Sequence, residues 1–279
     1  MVKTVAIIGS GGKMGTRTVE KIGNNSHYRV LMCESNAEQV HMLEKKGFTV
    51  TPLESAVAEA DFVIMAVPDA LIGRIVSQVV PYMKKEGTLI MLDAAAAYVG
   101  ELPEPRGLTF MITHPCHPPF FTEQASPEAR RDYFGGTAVQ DILISLIRGS
   151  QMNLQAGTEL CKIIFSPVRK VHYVTPEQFA LLEPAMSEIV GATAACLMKA
   201  ALDTAIEKGV PREAAEAFMA GHGQIALAIA FGAEKSPFSD ACQIAIQWGT
   251  KELINPSWKK VFEPEVLTQA IQVMLHPKG

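Results

Sequence analysis

Short apolar runs alternate with amphipathic stretches through the first half of the chain, whereas long alanine-rich helical patterns fill the second. Val2–Ile8 is apolar enough for a strand and starts almost at the N-terminus; Thr16–Ile22 then carries an amphipathic helix. Tyr28–Glu34 reads as a second strand, Ala37–Lys46 as a polar helix closed by Gly47, and Phe48–Thr51 as a short strand. Between Asp61 and Pro68 the chain is continuously apolar, as a parallel strand covered on both faces must be. A helix to about Met83 follows, then a fifth strand at Gly87–Asp93 and a sixth at Leu108–Thr113. Thr137–Ile147 fits a further strand and Gln151–Phe165 a helix. Alternation of this kind predicts an α/β fold: an N-terminal Rossmann doubly wound parallel sheet over residues 1–168. Residues 169–279 read as an all-helical C-terminal domain. Thr175-Pro176-Glu177-Gln178 has the form of a helix start, and Pro184 is expected to kink or divide the helix that follows.

Between the first strand and the first helix lies Gly9-Ser10-Gly11-Gly12-Lys13-Met14-Gly15. Strand, glycine turn and helix is the context in which such a loop binds a dinucleotide. The glycines allow a sharp turn, bring backbone against a pyrophosphate and pack the helix close to the strand, whose new N-terminal amides then face the phosphates. The spacing departs from strict G-x-G-x-x-G, so the loop alone is compatible with an ordinary turn. The second strand sharpens it by ending in Glu34, where a carboxylate accepts from the adenosine ribose hydroxyls. That carboxylate repels a 2′-phosphate, and Ser35-Asn36 rather than an Arg follow it, which favours NAD over NADP. Gly9, Gly11, Gly12, Lys13, Met14, Gly15 and Glu34 are therefore expected to bind NAD, with Val67, Pro68, Asp69 and Asp93 at neighbouring strand ends.

Composition narrows the class. A hydrophobic content of 48% with a mean hydropathy of +0.15 is high for a monomer and suggests a large buried interface. The net charge of −4 gives no reason to expect nucleic acid or an anionic membrane as partner. Apolar stretches in the second half are interrupted by Glu183, Glu188, Lys199 and His222, so no membrane span is expected. The five cysteines are scattered, without metal spacing, and the chain enters a strand at once; a cytoplasmic protein with reduced thiols and no signal peptide is the expectation.

The densest set of reactive groups is His114-Pro115-Cys116-His117-Pro118-Pro119, directly after the sixth strand. Prolines limit local freedom, and an imidazole with an ordinary pKa near ~6.5 suits a base that takes a hydroxyl proton at neutral pH. Glu34, Val67–Asp69, Asp93 and His114 all fall at strand ends, where an open α/β sheet gathers its ligands. Cys116 reads as a packed thiol.

This order of features resembles the 6-phosphogluconate, 3-hydroxyacyl-CoA and prephenate dehydrogenase superfamily, and most closely the D-apionate oxidoisomerase family. The resemblance rests on Gly12–Gly15, Val67-Pro68-Asp69, Asp93-Ala94-Ala95, the His114–Pro119 motif, Asp132-Tyr133, Gly135-Gly136, Leu182-Glu183-Pro184, Ser187-Glu188 and Gly221-His222. It implies an NAD-dependent oxidoreductase acting on a small sugar acid, in which oxidation at C2 is joined to migration of a hydroxymethyl group. By analogy with ketol-acid reductoisomerases it also implies a divalent metal, for which His114 and Glu183 are the candidate ligands. His114, His117 and Glu183 are the catalytic candidates, His114 as base or ligand, with the ligand role slightly favoured. A plain dehydrogenase of a small hydroxy acid and a non-catalytic NAD-sensing module are the alternatives. Leu181-Leu182, Ala194-Ala195, Leu197-Met198 and Ile225–Phe231 exceed what one small domain can bury, so a homodimer through the helical domain is expected.

Overall fold

The computed structural model describes residues 2–277. It divides into one compact unit running to Ala180 and resuming at Ile271, and a second unit, Leu181–Ala270.

The first unit is built on a seven-stranded sheet. In chain order its elements are β1 (Lys3–Ile8), α1 (Lys13–Ile22), β2 (Tyr28–Cys33), α2 (Ala37–Lys45), α3 (Leu53–Glu59), β3 (Phe62–Met65) and α4 (Asp69–Val79). Then come β4 (Thr88–Met91), α5 (Ala95–Tyr98), β5 (Thr109–Pro115), α6 (Pro127–Arg130), β6 (Gln140–Arg148), α7 (Gln151–Ile164), β7 (Val168–Tyr173) and α8 (Pro176–Ala180). The strand order is β2-β1-β3-β4-β5-β6-β7. Every residue of β3 and β4 is buried, because helices cover both faces. Alternate residues feed two cores: Met65, Met91, Phe110 and Ile112 meet Ile72, Val76 and Phe179 on one face. Ile64, Ile90, Met111 and Ile144 meet Val19, Ile22, Leu154 and Cys161 on the other.

Three features depart from the pattern read above. Phe48–Thr51 is not a strand; it contributes only an isolated bridge between Val50 and Met32. The sheet is parallel through β5, but β6 runs antiparallel to β5 and β7 parallel to β6, so the last two strands point the other way. An apolar run carries no mark of direction, and the 116–139 segment returns the chain without a long crossover helix. Last, β7 extends the sheet beyond residue 168: a register shift lets Val168 and Val171, three residues apart, pack on the same core, while Arg169, Lys170 and His172 kept the run from reading as apolar.

The second unit is helical: a wide-turned segment at Leu181–Ala192, α9 (Thr193–Glu207), α10 (Arg212–Ala230), α11 (Asp240–Leu253) and the start of α12 (Pro264–Leu275). Pro184 does not divide its helix. The chain keeps winding past it with π-type hydrogen bonding, which accommodates the missing N–H. Pro176–Glu207 is long and apolar enough to cross a membrane by length and composition alone, although Glu183, Glu188 and Lys199 lie in it. Neither α9 nor α11 has a buried residue.

Candidate active site

The glycine loop is set by close backbone approach. Gly9 has φ +80°, and a Cβ there would lie 2.4 Å from the carbonyl oxygen of Ala66; one on Gly15 would lie 2.1 Å from that of Gly9. The loop therefore folds against the end of β3 and turns directly into α1, whose first amides have no helical acceptor and suit a phosphate. Glu34 closes the other side: its Oε2 accepts from the Gly11 amide at 2.9 Å and its Oε1 from Ser35 and Asn36 at 2.8 and 3.0 Å. A cleft of about 830 Å³ runs from Gly9, Gly12 and Glu34 to Val67 and Pro68. Cradle, acid and cleft together fit a dinucleotide.

Among the lining residues not anticipated are four on one helix. Leu71, Arg74, Ile75 and Gln78 of α4 face the cleft, while Ile72, Gly73, Val76 and Val79 face the sheet. Their spacing along α4 was the signal: they recur at three- and four-residue intervals beside the buried stripe.

Beyond the cleft, the ends of β3, β4 and β5 bring Asp69, Asp93 and His114 together. Asp93 Oδ1 accepts from the Ala95 amide, the first of α5, at 2.6 Å. Burial, and then the charge of Asp93, push the Asp69 carboxyl up to about 6, against the opposing influence of His114. His114 Nδ1 lies 2.9 Å from the Leu92 carbonyl oxygen. A carbonyl only accepts, so Nδ1 carries the proton of the neutral ring, and Nε2 is the nitrogen that can take one up.

His117 is held differently. It adopts φ +58°, a left-handed backbone unusual for a side-chain-bearing residue. Its Nδ1 donates to the Phe134 carbonyl at 3.2 Å, and its ring stands edge-on both to Phe134 and to His114, each at 5.8 Å between centroids. Burial, aided by His114, Arg17 and Lys13, lowers its pKa despite the Phe134 hydrogen bond, so the ring is neutral at pH 7. Phe134 is in turn tied to α1: Lys13 Nζ sits 3.6 Å above its ring, Arg17 binds the carbonyls of Phe134 and Gly135, and Lys21 that of Gly136. The helix that follows the glycine loop thus fixes the segment that orients His117.

Cys116 is exposed rather than packed as expected, and desolvation followed by the Asp141 charge pushes its thiol up to about 11, so it is not activated. Glu183 lies in the second unit and is buried, whereas Glu188 is exposed. Among the described residues no group of three or more His, Cys, Asp and Glu side chains is arranged to hold a metal ion.

Residues 1–142 match the family model described as Acetohydroxy acid isomeroreductase, NADPH-binding domain, and residues 122–275 that described as Phosphogluconate dehydrogenase (decarboxylating) C-term. The chain is 40% identical to a D-apionate oxidoisomerase of Cupriavidus necator, over 98% of this chain and 99% of that protein. It is 38% identical to the enzyme of the same name from Blautia hydrogenotrophica, over 98% of this chain and 96% of that one. Among solved structures, a semialdehyde dehydrogenase NAD-binding protein from Cupriavidus necator, in complex with calcium and NAD, superposes with a TM-score of 0.94. It is 38% identical, and the match covers 98% of this chain and 100% of that one. An NADH-preferring ketol-acid reductoisomerase from an uncultured archean shares the fold, with a TM-score of 0.70 at 16% identity over 98% of this chain and 82% of that one.

Proposed function

This chain belongs to the D-apionate oxidoisomerase family, and we propose that it oxidises D-apionate with NAD and rearranges the product to 3-oxo-isoapionate. Bound in the Gly9–Glu34 cleft, NAD supplies the hydride acceptor. His114 Nε2 takes the proton of the C2 hydroxyl as hydride leaves C2, which gives a 2-oxo acid beside a tertiary alcohol. Loss of the tertiary hydroxyl proton then makes C3 a carbonyl. The bond from C3 to one hydroxymethyl group breaks, its electron pair forms a bond to C2, and the C2 carbonyl oxygen takes a proton as the new hydroxyl. His117, neutral and edge-on to His114, is the proposed second proton carrier. The observation that carries the reading is the His114 tautomer, fixed by Leu92 at the strand ends that bear Asp69 and Asp93.

We give His114 the base role because its Nδ1 is engaged by the Leu92 carbonyl, which leaves Nε2 as the nitrogen that takes up a proton. We propose further that the protein works in the cytoplasm as a homodimer joined through its second unit; its free cysteines and bare apolar helices support that reading.

Incubation with NAD and a panel of sugar acids, read as NADH formation, tests the assignment. The parent is expected to turn over D-apionate, and His114→Asn to lose roughly 10²–10⁴-fold in turnover with NAD affinity retained. Near-parental turnover by His114→Asn would remove His114 from the chemistry, and no NADH from any acid would leave an NAD-binding module.

A further inference from the structure

Outside the groups used above, one cluster is built with unusual order. Asp141 of β6 is 8% exposed, and its carboxylate takes two hydrogen bonds from Arg169 of β7. Nε donates to Oδ1 at 2.8 Å and Nη2 to Oδ2 at 3.1 Å. His172 Nε2 donates to the same Oδ2 at 2.9 Å. Arg169 and His172 keep 51% and 37% of their side chains exposed. A planar guanidinium has two edges able to engage a carboxylate, and Asp141 uses only the one that includes Nε. The outer edge, made of Nη1 and the second N–H of Nη2, is left with its charge directed by a buried partner.

Strand register sets where this cluster lies. His114 is paired with Leu143, and Leu143 with His172, so the two imidazoles stand on one face of the sheet with a single strand between them. Asp141, two positions from Leu143, shares that face. The Cys116 amide donates to the Asp141 carbonyl at 2.9 Å, which ties the His114–Pro119 motif to the cluster. Because β6 and β7 run against β5, this is also the edge where β1–β5 end. Neighbouring strands are about 4.8 Å apart, and the Asp141 clamp draws the guanidinium from β7 back over β6. One small acid, hydrogen-bonded at both ends, spans such a gap.

We propose that Arg169, clamped by Asp141 and flanked by His172, is the seat of the substrate's carboxylate. This rests on the sugar-acid reading above and deepens it. The anion holds the acid end-on at β7, which leaves the adjoining carbinol carbons toward the strand that carries His114. A Lys would supply charge but not the fork, so the site selects a planar carboxylate over a neutral sugar of the same size.

The test is titration calorimetry of D-apionate into the NADH-loaded enzyme, where no turnover occurs, with the neutral D-apionamide as comparison. Arg169→Met is expected to weaken D-apionate binding about 10- to 100-fold, the range of a charged hydrogen-bonded pair, and Arg169→Lys by less. D-apionamide should bind weakly and equally to parent and variants, with NADH affinity unchanged throughout. Parental D-apionate affinity in Arg169→Met would overturn the proposal, as would an equal loss for the amide. Should Arg169→Met lose NADH as well through misfolding, Arg169→Lys decides, since Lys can still pair with Asp141; full affinity there would overturn the fork. A parent that binds no D-apionate at all would instead refute the substrate reading on which this one stands.

Discussion

Glu34 shows how much one residue can settle. Its carboxylate accepts from the Gly11, Ser35 and Asn36 amides, so it is held rigidly at the mouth of the cleft. A 2′-phosphate brought there would meet a fixed negative charge with no basic residue next in sequence. NAD is therefore expected to bind at least ~10-fold more tightly than NADP, and Glu34→Ser to narrow the gap chiefly by improving NADP. Calorimetry showing equal affinities in the parent would contradict this role. Glu34, the glycines and His114 were legible in the sequence because each sits at the end of an apolar run, and such ends converge in any parallel sheet. The cluster of Asp141, Arg169 and His172 was not: its members lie on two separate strands, one of which did not read as a strand, and only register brings them together.

At the scale of elements, the unexpected reversal of β6 and β7 has an energetic counterpart. The ion pairs across these strands hold the Asp141 carboxyl at about 2, first through Arg169 and then His172, against an ordinary value of 3.8. A carboxyl whose pKa is depressed on folding stabilises the folded state in full above its unfolded pKa. That contribution declines as pH falls from about 4 toward 2. With Arg169 half in solvent, screening reduces it to about 1 kcal/mol. Asp141→Asn should therefore melt a few degrees below the parent at pH 7, with the difference closing between pH 4 and pH 2. A difference that stayed constant with pH would mean the clamp acts by packing rather than by charge. Strand positions and helix starts were largely readable from apolar periodicity and caps; strand direction was not, because the side-chain pattern is the same either way.

For the whole molecule, the second unit poses the clearest physical problem. Leu197, Phe218, Ile225, Phe231, Ile244 and Trp248 are between 44% and 70% exposed. Helices this apolar do not stay bare in water. Their excess was evident from composition, and a second copy of the chain is the proposed cover, by mutual exchange of the same faces. Light scattering at micromolar concentration should give twice the chain mass. A monomer in that experiment would refute the dimer, and a monomer that floats with phospholipid vesicles would assign Pro176–Glu207 to a membrane instead.

In the proposed reaction oxidation at C2 is joined to a carbon shift, and the carbon skeleton of the product distinguishes it from simple oxidation. Carbon NMR of the material formed from D-apionate and NAD should show one former hydroxymethyl carbon attached to C2 and a ketone at C3, the pattern of 3-oxo-isoapionate. A 2-oxo acid that retains both hydroxymethyl groups on its tertiary carbon would contradict the account and leave a plain dehydrogenase.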